Sequence, residues 1–169
     1  QEELQAAQLA VDEINGAGGV LDGTLTLVNV DDRSDPTGAA AAATTLVNSN
    51  HVPAIIGAIA SGSTIPASMV SSPANVVMIS GASTSPQITG MSPYLFRTCP
   101  SDALQGQLLA KRAIAQGFTR VAVTFVPGPY GSGLSDTFAT NFTQLGGTVT
   151  FQQMYTEAQP SYVALLTSI

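Results

Sequence analysis

VPAIIGAIASGSTIPASM at 52–69 and VVMISGASTSP at 76–86 read as two versions of one arrangement. In each, a short apolar run gives way to Gly, Ser and Thr, which suits a buried strand feeding a turn; hydroxyl residues followed by Pro suit the start of a helix. Where a turn opens a helix, the first backbone N–H groups have no intrahelical partner and stand at the positive end of the dipole, so a negative group can approach. Two such turns on neighbouring parallel strands would line the carboxyl edge of a sheet, where open α/β folds take their ligands. The candidate site is therefore Ser61 with Thr84. The competing reading is that these hydroxyls are ordinary helix N-caps.

Outward from that stretch, strand and helix patterns alternate. Residues 1–15 put Leu4, Ala7, Leu9, Ala10, Val11 and Ile14 on a helical stripe that Gly16, Gly18 and Gly19 stop. A strand is expected at Leu25–Val30, running into Asp31 and Asp32. Asp35 before Pro36 reads as an N-cap with proline in the first turn, and the Ala-rich run to Val47 as a strong helix closed by Asn48–Asn50. Strands are expected at Val52–Gly57, Val76–Ser80 and Tyr94–Thr98, a helix at Thr64–Ser72, and a short turn or helix at Pro86–Gly90. A new register starts at 98–102: Ser101 or Asp102 caps a helix at Ala103–Gln116. A buried strand at Arg120–Phe125, a helix at Ser135–Leu145, a strand at Val149–Tyr155 and a helix from Ser161 follow. Short connections between alternating elements predict an α/β fold with a doubly wound parallel sheet. A last helix cut off at Ile169 gives the chain the look of a fragment.

Composition narrows the function. Only 9% of residues are charged and 44% are hydrophobic, against about 25% charged in ordinary soluble domains, so the polar surface must be built of Ser, Thr, Gln and Asn. Five Lys and Arg against eleven Asp and Glu give a net charge of -6, which opposes the positive field a nucleic-acid binder needs. No apolar run approaches the roughly 20 residues of a membrane span, and the first residues contain no secretion-signal pattern. The single cysteine, Cys99, rules out an internal disulfide and offers no paired metal spacing.

Four further signals resolve to structural roles. His51, the only histidine, lies between a helix and a strand with no G-x-S-x-G elbow or H-E-x-x-H motif to recruit it, and reads as a turn residue. Gly128, Gly131 and Gly133 fit no phosphate-loop spacing and read as turn geometry before a helix. Asp31, Asp32 and Asp35 lack the oxygen count of a hard-cation loop. Asn141-Phe142-Thr143 matches a glycosylation sequon but falls inside an expected helix. No cofactor, metal or catalytic pair is expected.

The segments AAQLAVDEINGAGGVLDGTLTLVNVDDRSDP, IIGAIASGSTIPAS, MISGASTSPQIT, LFRTCPSDALQG and RVAVTFVPGPYGSGL, in this order, resemble the type I periplasmic binding proteins of the branch that serves branched-chain amino-acid importers. The resemblance spans nearly the whole chain. It implies a two-lobed, non-enzymatic binder, acting as a monomer in the periplasm or tethered outside the cell. Such a protein closes on a small carboxylate-bearing solute, an amino acid above all, and hands it to the membrane permease of an ABC importer. It implies that Ser61 gives its hydroxyl and nearby N–H groups to the ligand carboxylate. Ala82 gives a carbonyl to the ammonium, Thr84 a hydroxyl and N–H to the carboxylate, with Ser83 beside them, and Tyr130 packs on the ligand from the second lobe. The first lobe is expected to cover 1–100 and the start of the second 101–169, hinged at Thr98, Cys99, Pro100, Ser101 and Asp102. A ligand sensor on the same fold, or a binder of amides, urea-like compounds or aromatic acids, is the alternative output.

The chain departs from that family in four places. The family's first strand and its Gly-rich, aromatic-bearing loop have no counterpart before residue 1. That strand would lie between Leu25–Val30 and Val52–Gly57, so a gap, or a forced pairing of those two, is expected. The acidic residue that would meet a ligand ammonium lies past Ile169. Ser34 and Ala60 stand where close relatives carry a disulfide, and VPGP at 126–129 stiffens the approach to Tyr130.

Overall fold

A computed structural model describes residues 2–156 and 158–169; Gln1, in the expected first helix, lies outside them. The order is α1 (Glu2–Gly16), α2 (Pro36–Thr44) continued by a π-turn (Thr45–Ser49), β1 (Ala54–Ile56), α3 (Ser61–Ser71) and β2 (Val77–Ser80). A 3₁₀ turn (Pro86–Ile88), β3 (Leu95–Arg97), α4 (Asp102–Ala115), β4 (Arg120–Phe125), α5 (Pro129–Gln144), β5 (Thr148–Met154) and α6 (Val163–Thr167) complete it. The α/β reading holds, and every strand pairing is parallel: β1-β2-β3 form one sheet and β4-β5 another.

Capping chemistry explains the start of α2. Asp35 Oδ1 accepts the N–H groups of Thr37 (2.9 Å) and Gly38 (2.8 Å), with Pro36 in the first turn. Asp31 and Asp32 accept from the N–H groups of Arg33 and Ser34, so all three carboxylates organise one turn. Among the described residues no cluster of His, Cys, Asp or Glu could hold a metal ion. His51 is exposed at a left-handed turn position, φ 54°.

The core of the first sheet joins Ala39, Ala43 and Val47 of the α2 stretch to Ile55, Ala67, Val76, Met78, Ile88 and Leu95. Strand alternation sends Ile55, Met78 and Leu95 to this side. It leaves Ile56, Ile79 and Phe96, which are paired in register across the three strands, exposed on the opposite face. Among the described residues the sheet is thus covered on one face. The second sheet is a two-stranded ribbon packed on α5 with a register irregularity at Val121/Ala122. Its β4 alternates exposed and half-buried positions instead of being buried, as its apolar sequence suggests, because two strands and one helix cannot enclose it. α4 and α5 pack on each other around Ala110 and Phe142, both fully buried.

Three expectations are corrected. Leu25–Val30 forms no strand: residues 24–32 have no regular structure, and the Asn15 side-chain amide takes the place of a neighbour, binding Leu25 N–H (2.8 Å) and C=O (2.9 Å). A strand needs a ladder partner, and among the described residues β1 pairs only with β2; the gap, not the forced pairing, is what forms. α3 begins at Ser61, three residues before the expected start at Thr64, because its N-cap is Ala60, which has no capping side chain for a sequence reading to find. Pro66 is therefore inside the helix, not in its opening turn. α5 likewise starts at Pro129, six residues before Ser135, with Gly128 (φ 97°) as its N-cap.

Candidate functional site

The two turns rise from the ends of adjacent parallel strands, β1 and β2, and hydroxyl groups lock them to each other. The Ala58 carbonyl, in the first turn, accepts from Ser80 Oγ (2.5 Å), Thr64 Oγ1 (3.0 Å) and Ser83 Oγ (3.2 Å). Ser83 Oγ also lies 2.6 Å from Thr64 Oγ1 and 3.0 Å from the Ile59 carbonyl. All three side chains are at most 1% exposed, so the network is dry and its groups satisfy one another. The chain uses small hydroxyl residues here because they alone let two backbones approach closely while supplying the buried carbonyls with donors.

Ser61, the first residue of α3, is 3% exposed. Its Oγ accepts the Ser85 N–H at 3.2 Å, so it reaches across to the second turn instead of capping its own helix. Its hydroxyl proton and the N–H groups of Ser61 and Gly62 have no partner among the described residues. The same holds for the Thr84 N–H and the Ala82 carbonyl. Ser85 caps the 3₁₀ turn and Ser101 caps α4; the N-cap role thus falls to neither Ser61 nor Thr84.

Thr84 is tied to the start of α4 in both directions. Its Oγ1 donates to Asp102 Oδ2 at 2.8 Å, and its carbonyl accepts the Asp102 N–H at 2.8 Å. Asp102 is fully buried, and burial raises its carboxyl above the usual range, while the Thr84 hydrogen bond and then the Arg97 charge pull it back. Arg97, at the end of β3, reaches under the turn: Nη1 donates to the carbonyls of Ser83 (3.4 Å) and Ser85 (2.8 Å), and Nη2 to Thr89 Oγ1 (2.5 Å). On the far side of the turn Glu3 lies 3.9 Å from where a Gly81 Cβ would stand, and burial, then the charge of Asp32, raises its carboxyl. The service of Asp102 and Arg97 to the turn was missed by sequence reasoning, which placed Asp102 only as hinge or cap. The signal available was two charged residues in a chain with very few.

α5 brings the second half of the chain to the same place. Pro129 Cδ is 3.8 Å from the position of a Cβ on Gly62, and Pro86 Cδ 2.7 Å from that on Gly133. Tyr130, in the first turn of α5, is 44% exposed. The expected hinge is anchored at both ends, through Thr98 N–H to the Ser80 carbonyl (3.1 Å) and through Asp102 to Thr84; between them Cys99 is a half-buried free thiol, Pro100 is exposed and Ser101 is half-buried. A depression of about 370 Å3 is lined by the Asp31–Asp35 turn and α2 and contains neither Ser61 nor Thr84.

The arrangement offers hydrogen-bond donors and a free carbonyl. The family profile described as "Periplasmic binding protein" matches residues 1–169. The chain belongs to the periplasmic binding protein family. This is a family of extracytoplasmic substrate-binding proteins, not of enzymes. An amino acid binding protein of Pseudomonas aeruginosa is 34% identical over 168 residues, which cover 98% of this chain and 45% of that protein. The Leu/Ile/Val-binding protein BraC3 of Rhizobium johnstonii is 34% identical over 167 residues, 96% of this chain and 45% of that one. The branched-chain amino acid transporter substrate-binding protein LivJ of Streptococcus pneumoniae, solved in complex with isoleucine, superposes with a TM-score of 0.85 at 28% identity, covering 99% of this chain and 48% of its own. The chain thus spans under half the length of these periplasmic binding proteins.

Proposed function

We propose that this chain is the part of an extracytoplasmic solute-binding protein that holds the charged head of an amino acid, most directly a branched-chain one, for delivery to the permease of an ABC importer. The observation that supports the reading is the set of unspent donors at the two turns: the Ser61 hydroxyl, the Ser61 and Gly62 N–H groups at the positive end of α3, and the Thr84 N–H. Such a set takes a carboxylate without any Lys or Arg. The Ala82 carbonyl is the free acceptor beside it, suited to the ammonium. Ser83, spent on the first turn, keeps the two turns in register and makes no ligand contact through its side chain. Tyr130 is exposed where α5 meets the turns and supplies an aromatic wall. Residues 1–100 and 101–169 are the two lobes' shares, hinged within 98–102, and the protein works as a monomer outside the cytoplasmic membrane. No helix of the described residues is long and apolar enough to cross a membrane.

Calorimetry on the full-length, ligand-stripped protein tests this, with leucine, isoleucine, valine, an aliphatic amide and an aromatic acid as titrants. Ser61→Ala removes a hydrogen bond to a charged group, worth about 1.5 to 3 kcal/mol, so the bound amino acid should weaken roughly ten- to hundredfold. Binding of an amino acid with no loss in the variant would remove Ser61 from the site, and binding of the amide or aromatic acid alone would replace the solute class.

A further inference from the structure

We infer that Asp102 is a positioning residue that fixes the polarity of the Thr84 hydroxyl, holding it as an acceptor toward the ligand so that the site selects a solute with a donor group, an ammonium, beside its carboxylate. The inference rests on the reading of Thr84 as a ligand contact and goes past it to what Thr84 can offer. A threonine hydroxyl has one proton and two lone pairs. Here the proton goes to Asp102 Oδ2 at 2.8 Å. What remains on Thr84 Oγ1 is accepting capacity, so toward a ligand only its N–H donates to a carboxylate. The sequence expectation that the hydroxyl serves the carboxylate is replaced by a hydroxyl that serves a donor, next to the free Ala82 carbonyl.

The choice of Asp at 102 follows from this. As a stitch between α4 and the turn, Ser or Asn would serve as well, since the Asp102 N–H to Thr84 C=O bond of 2.8 Å is made by the backbone. A carboxylate costs more: it is fully buried, and its Oδ1 has no hydrogen-bond partner among the described residues. What the carboxylate alone provides is an acceptor that cannot turn into a donor while ionised. Asn could present its NH₂ to Thr84 and turn the hydroxyl proton outward, where it would face an ammonium. Arg97, whose charge favours the ionised form, holds the carbonyls of Ser83 and Ser85 on either side of Thr84 and keeps the residue in place.

The test is a double-mutant cycle on the full-length protein with two ligands that differ only in the donor group, leucine and 4-methylpentanoate, the latter read by its competition with leucine. Thr84→Val and Asp102→Ala are each expected to weaken leucine about tenfold and to leave 4-methylpentanoate within about twofold. In the Thr84→Val background Asp102→Ala should do nothing more to leucine, because the hydroxyl it acts through is gone. Asp102→Asn keeps the volume should the alanine variant fail to fold, and it should narrow the leucine to 4-methylpentanoate ratio by about threefold or more. If Thr84→Val leaves leucine binding intact, the Thr84 hydroxyl makes no ligand contact and the inference falls, while the site reading is decided by Ser61→Ala. If Thr84→Val weakens leucine but Asp102→Ala weakens both ligands alike, or adds its full effect in the Thr84→Val background, Asp102 is merely structural and the site reading stands alone. An unchanged ratio in Asp102→Asn likewise overturns the inference.

Discussion

Asp102 shows how one buried group ties stability to the site. Its carboxyl is raised above 3.8, with burial as the largest cause, so the folded protein holds that proton at a pH where the unfolded chain has already released it. Above the folded pKa the buried charge therefore costs stability, and the cost is relieved as pH falls through the folded value toward 3.8. Asp102→Asn should accordingly be more stable than the parent at neutral pH, with the gap closing on acidification. Urea unfolding of both proteins from neutral pH down to the carboxylate range measures this. A constant gap would mean that folding leaves the carboxyl unshifted, and a gap that widens in acid that the folded state favours the ion because Thr84 and Arg97 outweigh burial. The candidate site was partly legible: Ser61 and Thr84 stand out as hydroxyl residues after apolar runs, while Ala82 came only from the resemblance to the family. The direction of their hydrogen bonds was not, because Thr84 and Asp102 are far apart in sequence and only the fold shows which of them donates.

At the scale of elements, legibility followed the chemistry of the ends. α2 and α4 announce themselves through Asp35 and Ser101, which cap them. α3 and α5 start earlier than their side chains suggest, since Ala60 and Gly128 occupy the N-cap positions without a capping hydrogen bond. Leu25–Val30 has a strand's composition but no strand's partner, a property no local pattern can contain. Close helix contact is similarly hidden. Gly106 in α4 sits where a Cβ would meet the Phe138 backbone nitrogen at 2.8 Å and Thr137 Cβ at 2.9 Å of α5. Gly106→Ala gains about 1 kcal/mol of helix propensity, but overpacking against backbone costs about 1 to 3 kcal/mol. The clash should win and the variant lose stability, as chemical denaturation would show; a stabilised variant would mean that α4 and α5 can part without cost. Within α5, Phe142 is fully buried and stacked on Phe138 at 5.4 Å.

For the whole molecule, the question is how two halves with separate sheets meet around one surface. The segment between them is pinned by Thr98 to Ser80 and by Asp102 to Thr84, so a pivot has only residues 99–101 to turn on unless it breaks a contact of the site itself. Ligand held at Thr84 would then bear directly on the hinge. Across from it, Gly133 of α5 faces Pro86, with Pro86 Cδ 2.7 Å and Ser85 Oγ 3.4 Å from the place of a Cβ. The proline ring is rigid and cannot yield. Gly133→Val puts three carbons into that contact, and its helix propensity is no worse than that of Gly, so any loss comes from the wedge and not from α5. In the full-length protein the variant should bind its solute about tenfold or more weakly, by reducing the population of the closed form, without removing any group that touches the ligand. Small-angle scattering should show a smaller ligand-induced decrease in radius of gyration than in the parent. Equal affinity and equal compaction would show that Gly133 and Pro86 are apart in the liganded form, and that the halves close along another line.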